Sequence, residues 1–190
     1  LADVDGYLIY RADGNAAFEL ATVLTSAPID RLTYSDTPAQ DGEYTYFVTA
    51  VNDLGTESLP SESARATSDS VPPFVTEIQY ENDAILDPET DIVGPGVVTV
   101  SVRFSEPLLT KPYFALVPDD GVPSSIVLTK NYSDDKLYSG QWLVSDAIPD
   151  GLVYAVLSAY DKAGNRGSDI EAGASIRVDT HGPAAQSILI

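Results

Sequence analysis

Along Val97–Phe104, "VVTVSVRF", apolar and polar side chains alternate. Val98, Val100, Val102 and Phe104 share one face, and Thr99, Ser101 and Arg103 share the other. A period of two carried by β-branched residues predicts a half-buried strand. "GYLIYR" at Gly6–Arg11 and "SSIVLT" at Ser124–Thr129 predict strands in the same way. Asp-Gly pairs at Asp13-Gly14, Asp41-Gly42, Asp120-Gly121 and Asp150-Gly151 supply turns at intervals typical of antiparallel sandwiches. No long window sustains the i, i+3, i+4 pattern of a helix, so the expected class is all-β.

One stretch of this pattern occurs twice. "DGEYTYFVTAVNDLGT" at Asp41–Thr56 and "DGLVYAVLSAYDKAGN" at Asp150–Asn165 align without a gap: a turn, an alternating apolar run, then a tight turn containing Gly. Two copies predict two modules. The seam falls at "SDSVPPF", Ser68–Phe74, where two consecutive prolines cannot donate ladder hydrogen bonds and stiffen the chain. The expected organisation is a first domain over 1–68, a Pro-rich linker over 69–74, and a second domain over 75–180. Residues 181–190, including "AAQSILI", read as the start of a next module or a tail.

Charge narrows the partners. With 29 acids against 10 bases the net charge is −19, which repels nucleic acid and anionic membrane surfaces. No apolar run approaches the roughly 18 residues of a spanning helix, and no signal-peptide pattern opens the chain. Met is absent even at position 1, as expected of a piece of something longer. Cys is absent too, which removes disulfides, thiol nucleophiles and thiolate metal sites together. With the acidity and the Thr/Ser/Tyr/Val-rich composition, this suits a bacterial protein located outside the cell or on its surface.

The first segment resembles a bacterial fibronectin type III domain in "GYLIYR", in "LTYSDT" at Leu32–Thr37 and in "DGEYTYFVTAVNDLGTES" at Asp41–Ser58. The resemblance implies that Tyr44 is a tyrosine-corner residue, bonded to nearby backbone, with Tyr46, Val48 and Ala50 following on the core face. It also implies two strands before "GYLIYR", so this domain is expected to be truncated or completed by residues outside the sequence. The second segment resembles the bacterial Ig-like repeats found in tandem on large surface and secreted proteins. It does so in "VTVSVRFSEPL", in "YSGQW" followed by "IPDG", in "YDKAGN" and in "VDTHGP". Val153 stands where Tyr44 stands in the first copy. Together the resemblances imply two tandem antiparallel β-sandwiches of Ig-like and fibronectin III type.

Candidate chemistry is sparse. The single histidine, His181 in "VDTHGP", reads as a solvated residue at a domain end, and no Gly-rich phosphate cradle is present. Acids are so abundant that no chosen pair of carboxylates stands out for glycoside hydrolysis. Calcium is the one cofactor the sequence raises. "ENDAILDPETD" at Glu81–Asp91 gathers Asp83, Asp87, Glu89 and Asp91 as hard oxygen ligands, although an EF-hand match fails at Ile92 and Val98. An acidic solvated loop is the competing reading. Asp161, Asn165 and Asp179 form a second candidate at the module junction. Tyr113 and Tyr132 are candidate platforms for stacking on sugar rings, whereas Trp142 in "QWLV" is expected in the core. An internal Lys–Asn or Lys–Asp crosslink would need Lys111, Lys130, Lys136 or Lys162, most of them beside turn residues.

Three functions fit. The first is a non-catalytic structural module, a rigid spacer or display segment of a longer extracellular bacterial protein whose partners are the other domains of the same chain. The second is a pair of accessory domains of a secreted protease or glycoside hydrolase. The third is an adhesin module that binds a surface glycan or a protein through loops of the second domain.

Overall fold

The computed structural model describes residues 4–82, 85–87 and 92–182. The chain divides into two compact units, Leu1–Ser70 and Val71–Ile190. In the first, strands β1 (Val4–Asp13), β2 (Thr22–Val23), β3 (Gly42–Asn52) and β4 (Ala64–Ser68) form one antiparallel sheet in the order β2-β1-β3-β4. The register runs from Val4↔Asn52 to Asp13↔Tyr44 between β1 and β3. Between β3 and β4 it runs from Gly42↔Ser68 to Tyr46↔Ala64.

The two faces of this sheet are covered unequally. Thr45, Phe47, Thr49 and Val51 point to one face and are buried. The Phe18 ring lies 5.5 Å from Phe47 and 4.8 Å from Tyr10, both edge-on. Glu57 accepts hydrogen bonds from Thr49 Oγ1 and Tyr10 Oη, each 2.6 Å. The opposite face carries Tyr7, Ile9, Tyr46 and Val48, the phase that the fibronectin resemblance assigns to the core. Here Val48 is 37% exposed. Among the described residues of this unit no second sheet covers that face. It is crossed only by the irregular segment that pairs at Ile29 with Tyr7 and leaves a groove of about 290 Å³ lined by Tyr7, Ile9, Leu32, Tyr34 and Val48. The core-face expectation is therefore corrected: the better-buried side of β3 is the other one, because the chain folds its own Phe18 and Glu57 over it.

The second unit is a two-layer sandwich. Its strands are β5 (Val75–Asn82), β6 (Ile85–Asp87), β7 (Ile92–Val93), β8 (Gly96–Phe104), β9 (Tyr113–Pro118), β10 (Ser124–Ser125), β11 (Thr129–Lys130), β12 (Leu137–Val144), β13 (Gly151–Tyr160), β14 (Arg166–Gly167) and β15 (Ser175–Val178). One sheet has the order β11-β12-β8-β5, and the other β10-β9-β13-β15-β7-β6, with β14 paired to β13. All pairs are antiparallel except β15 with β7. Val98, Val100, Val102 and Phe104 of β8 meet Phe114, Leu116, Val153 and Leu157 across the layers, each no more than 4% exposed. Burial of such apolar surface supplies the folding drive, at roughly 25 cal/mol per Å² removed from water.

"SSIVLT" is not one strand. Ser124–Ser125 pair with β9 in one sheet and Thr129–Lys130 with β12 in the other, so the segment crosses from layer to layer. Ile126 and Leu128 turn into the core while Val127 is exposed. Gly140 permits the crossing, because a Cβ there would lie 2.7 Å from Ile126 Cγ2 and 2.8 Å from Val127 O.

The repeated sequence becomes the central strand of each unit, β3 and β13. Both end in the same turn. Gly55 N donates to Asn52 O and Thr56 N to Asn52 Oδ1 in the first copy; Gly164 N donates to Asp161 O and Asn165 N to Asp161 Oδ1 in the second.

Candidate functional site

Apart from Tyr44, the residues proposed from sequence scatter over the second unit. Asp83, Glu89 and Asp91 of the calcium proposal lie outside the described residues, as does the side chain of Asp87, whose backbone pairs with Ile92 in β6–β7. Of the alternative set, Asp161 and Asn165 meet but Asp179 does not join them. Asp161 follows the last residue of β13, whereas Asp179 follows Val178, which pairs with the first residue, Gly151. This second proposal is corrected by the strand length between the two ends. Asp161 is fully buried and receives Asn165 N at 2.8 Å and Asn165 Nδ2 at 2.7 Å. Burial pushes its carboxyl up, but the hydrogen bonds from Asn165 and from the turn backbone outweigh it and hold the group below the ordinary carboxylate value. A carboxylate oxygen of Glu106 lies within 4.8 Å of one of Asp161.

Tyr44, in the first unit, is buried and its Oη donates to Gln40 O at 2.8 Å. Trp142 is 3% exposed in the sandwich core, with its Nε1 unpartnered among the described residues. Tyr132 is fully exposed between β11 and β12, and Tyr113 is 54% exposed at the start of β9. They do not form a cluster: Tyr113 belongs to the sheet of β9 and β13, and Tyr132 follows β11 of the opposite sheet. Lys111, Lys130 and Lys162 are exposed and Lys136 is half-buried, its Nζ donating to Ser105 O at 2.8 Å.

His181 is not solitary. Its Nδ1 lies 2.7 Å from Asp150 Oδ2 and 3.2 Å from Thr180 Oγ1, while Thr180 N donates to Asp150 Oδ1 at 2.7 Å. A hydrolytic relay needs the carboxylate on one ring nitrogen and the nucleophile's hydroxyl on the other. Here both oxygens meet the same nitrogen, on an open surface with the His181 side chain 66% exposed. The arrangement is a latch on the backbone: Thr180 N–H, with the help of His181, holds Asp150 below its ordinary pKa.

The more informative geometry is at the two ends of β13. Where the chain enters the second unit, Phe74 N donates to Ser105 Oγ, Ser105 N to Phe74 O and Val75 N to Asp169 O. Gly167 lies so close to Pro73 that an added Cβ would fall 1.6 Å from the Pro73 carbonyl oxygen. This clamp sits at the end of β8 and of β13, since Ser105 follows Phe104 and Gly167 pairs with Ala159. At the other end of the sandwich, after β15, Asp179 N donates to Val93 O and Thr180 is held by Asp150, at the start of β13. The ten residues of β13 therefore separate the two clamps, by about 30 Å at the rise of an antiparallel strand. The first unit has the same property: Val4 and Ser68 pair with opposite ends of β3. Sequence reasoning missed these clamps because their donors and acceptors are mainly backbone groups.

No family model matches the chain. No curated protein matches it. Among solved structures it is similar to one described as a tetra-tandem repeat in the extending region of a large adhesion protein. The two share 18% identity and a TM-score of 0.45, over 94% of this chain and 43% of that one. The chain spans less than half the length of that structure.

Proposed function

We propose that the chain is a non-catalytic spacer or display segment of a longer extracellular bacterial protein. One observation carries this: in each unit the start of the first described strand and the end of the last lie at opposite ends of the central strand. Domain termini are often close together. Ends placed opposite suit a module strung in a line, where each unit adds its length to the reach of its neighbours. Tension along such a line runs parallel to β5 and β15, so their ladders are loaded in shear and their hydrogen bonds must break together rather than one at a time. Net charge of −19 keeps neighbouring copies apart and soluble.

The absence of Cys makes a distance measurement direct. Spin labels on Val71→Cys and His181→Cys are expected at least about 30 Å apart, the span of β13. A separation near half that value would place both ends on one side and remove the basis of the proposal. Calcium belongs to this function as a proposal from sequence alone. Melting in millimolar calcium against EDTA tests it: a rise abolished by Asp87→Asn with Asp91→Asn supports a stiffening ion, and identical melts dismiss it.

A further inference from the structure

β13 is apolar in both phases. Val153, Leu157 and Ala159 point inward and are at most 4% exposed. Leu152, Tyr154, Val156 and Tyr160 point outward and are 39–47% exposed. Tyr113 joins them from β9, where it pairs with Ser158. In β3 the equivalent outward positions are Thr45, Phe47, Thr49 and Val51, and the chain covers them with Phe18, Gly14 and Glu57. Nothing described of this chain covers the outward face of β13, although its side chains are larger and more apolar. Exposed apolar patches of this kind mark interaction surfaces.

Charge says what fits there. Arg177 pairs with Leu152 near one end of β13, and Arg166 pairs with Tyr160 at the other. Both arginines are exposed, and among the described residues neither is in an ion pair. The described outward positions of β9, β13, β14 and β15 hold no carboxylate, on a chain with 29 of them. The outer face of the opposite sheet is different: Glu77, Gln79, Thr99, Ser101, Arg103 and Gln141 make it polar, with half-buried Leu137 opposite Arg103 and an exposed apolar pair, Val97 and Leu143, at one end.

We propose that the outward face of β9 and β13 binds an acidic polysaccharide. Tyrosine rings on the outside of a sheet offer apolar faces to the C–H faces of pyranose rings, and their hydroxyls tolerate a wet partner. The guanidinium forks of Arg166 and Arg177 match sugar carboxylates. The two arginines are set roughly 27 Å apart by the strand rise, which calls for a polymer rather than a single ring. A second copy of this chain fits less well, because two such faces packed together would bury arginines of like charge without partners. The proposal is independent of the spacer function: its failure would leave the end-to-end geometry untouched.

The test is calorimetric titration of the whole chain with oligogalacturonate and with a neutral cello-oligosaccharide of equal length, at physiological ionic strength. Saturable binding that prefers the acidic ligand is expected. Tyr154→Ala with Tyr160→Ala should weaken it by roughly tenfold or more. Arg166→Gln with Arg177→Gln should erase the preference for the acidic ligand at unchanged melting temperature. Val97→Ser with Leu143→Ser, on the other sheet, should leave binding intact. No binding to oligogalacturonate, or binding indifferent to the tyrosine and arginine pairs, would overturn the proposal. So would concentration-dependent dimerisation abolished by the tyrosine pair, which would make a second copy the occupant.

Discussion

β3 and β13 are written in the same pattern and sit at the centre of their sheets, yet their faces meet opposite fates. The phase of Val153 and Leu157 is sealed by a second sheet in one unit; the matching phase of Tyr44 and Val48 is only partly covered in the other. The alternate phase reverses: Phe47 is buried under Phe18, whereas Val156 stands 47% exposed. Alternation therefore decides which residues travel together, and the surrounding chain decides which set is buried. A strand's pattern is local, but its burial is a property of the second layer.

Substitutions at matched positions sharpen this contrast. The largest difference is expected between Phe47→Ala and Val156→Ala. The first empties a packed aromatic site and should cost about 3–5 kcal/mol, while the second should stay within about 0.5 kcal/mol. On the other phase, Leu157→Ala should cost about 2–5 kcal/mol and Val48→Ala about 1 kcal/mol or less. Denaturant titrations of each variant measure both pairs, and equal losses within either pair would break the comparison. Smaller still is Tyr44→Phe, which removes the bond to Gln40 O and should cost about 1 kcal/mol in the first unit. Val153 has no such bond to lose.

The smallest effect is a pH dependence. Burial raises the Asp36 carboxyl, but hydrogen bonds from Arg11 and Tyr46 prevail and hold it below its ordinary value. A carboxyl depressed in the folded state contributes stability above its unfolded pKa, near ~4, and that contribution is lost as pH falls through the folded value. Asp36→Asn should flatten the acid limb of the first unit's unfolding and leave that of Asp161 in the second. At neutral pH the change should be below about 1 kcal/mol. Melting curves across the acid range test this, and an unchanged acid limb would contradict it.

Much of the fold was legible in the residues. The strict alternation of "VTVSVRF" and the Asp-Gly turns mark β8 and both central strands, because a period of two and a φ that favours glycine are local properties. Gly14, with φ of 58°, is one such turn position. The crossing of "SSIVLT" between layers was hidden, since it depends on Gly140 of a distant strand. The bare face of β13 did leave a trace: "LVYAVLSAY" is apolar in both phases, the pattern of a strand covered on both sides. The sequence offers Tyr113 together with Tyr132 as sugar platforms, and only the pairing of β9 with β13 places Tyr113 beside Val156 and Tyr160 instead. The clamps at the two ends of β13 could not be read, because backbone groups carry no sequence signal.

Single-molecule pulling of the chain from its two ends tests the central claim most directly. If tension runs along the central strands, the units should unfold in two discrete steps, the two-layer sandwich at the higher force. A smooth extension at low force, without steps, would mean that the strands are peeled one bond at a time, and would contradict the in-line spacer.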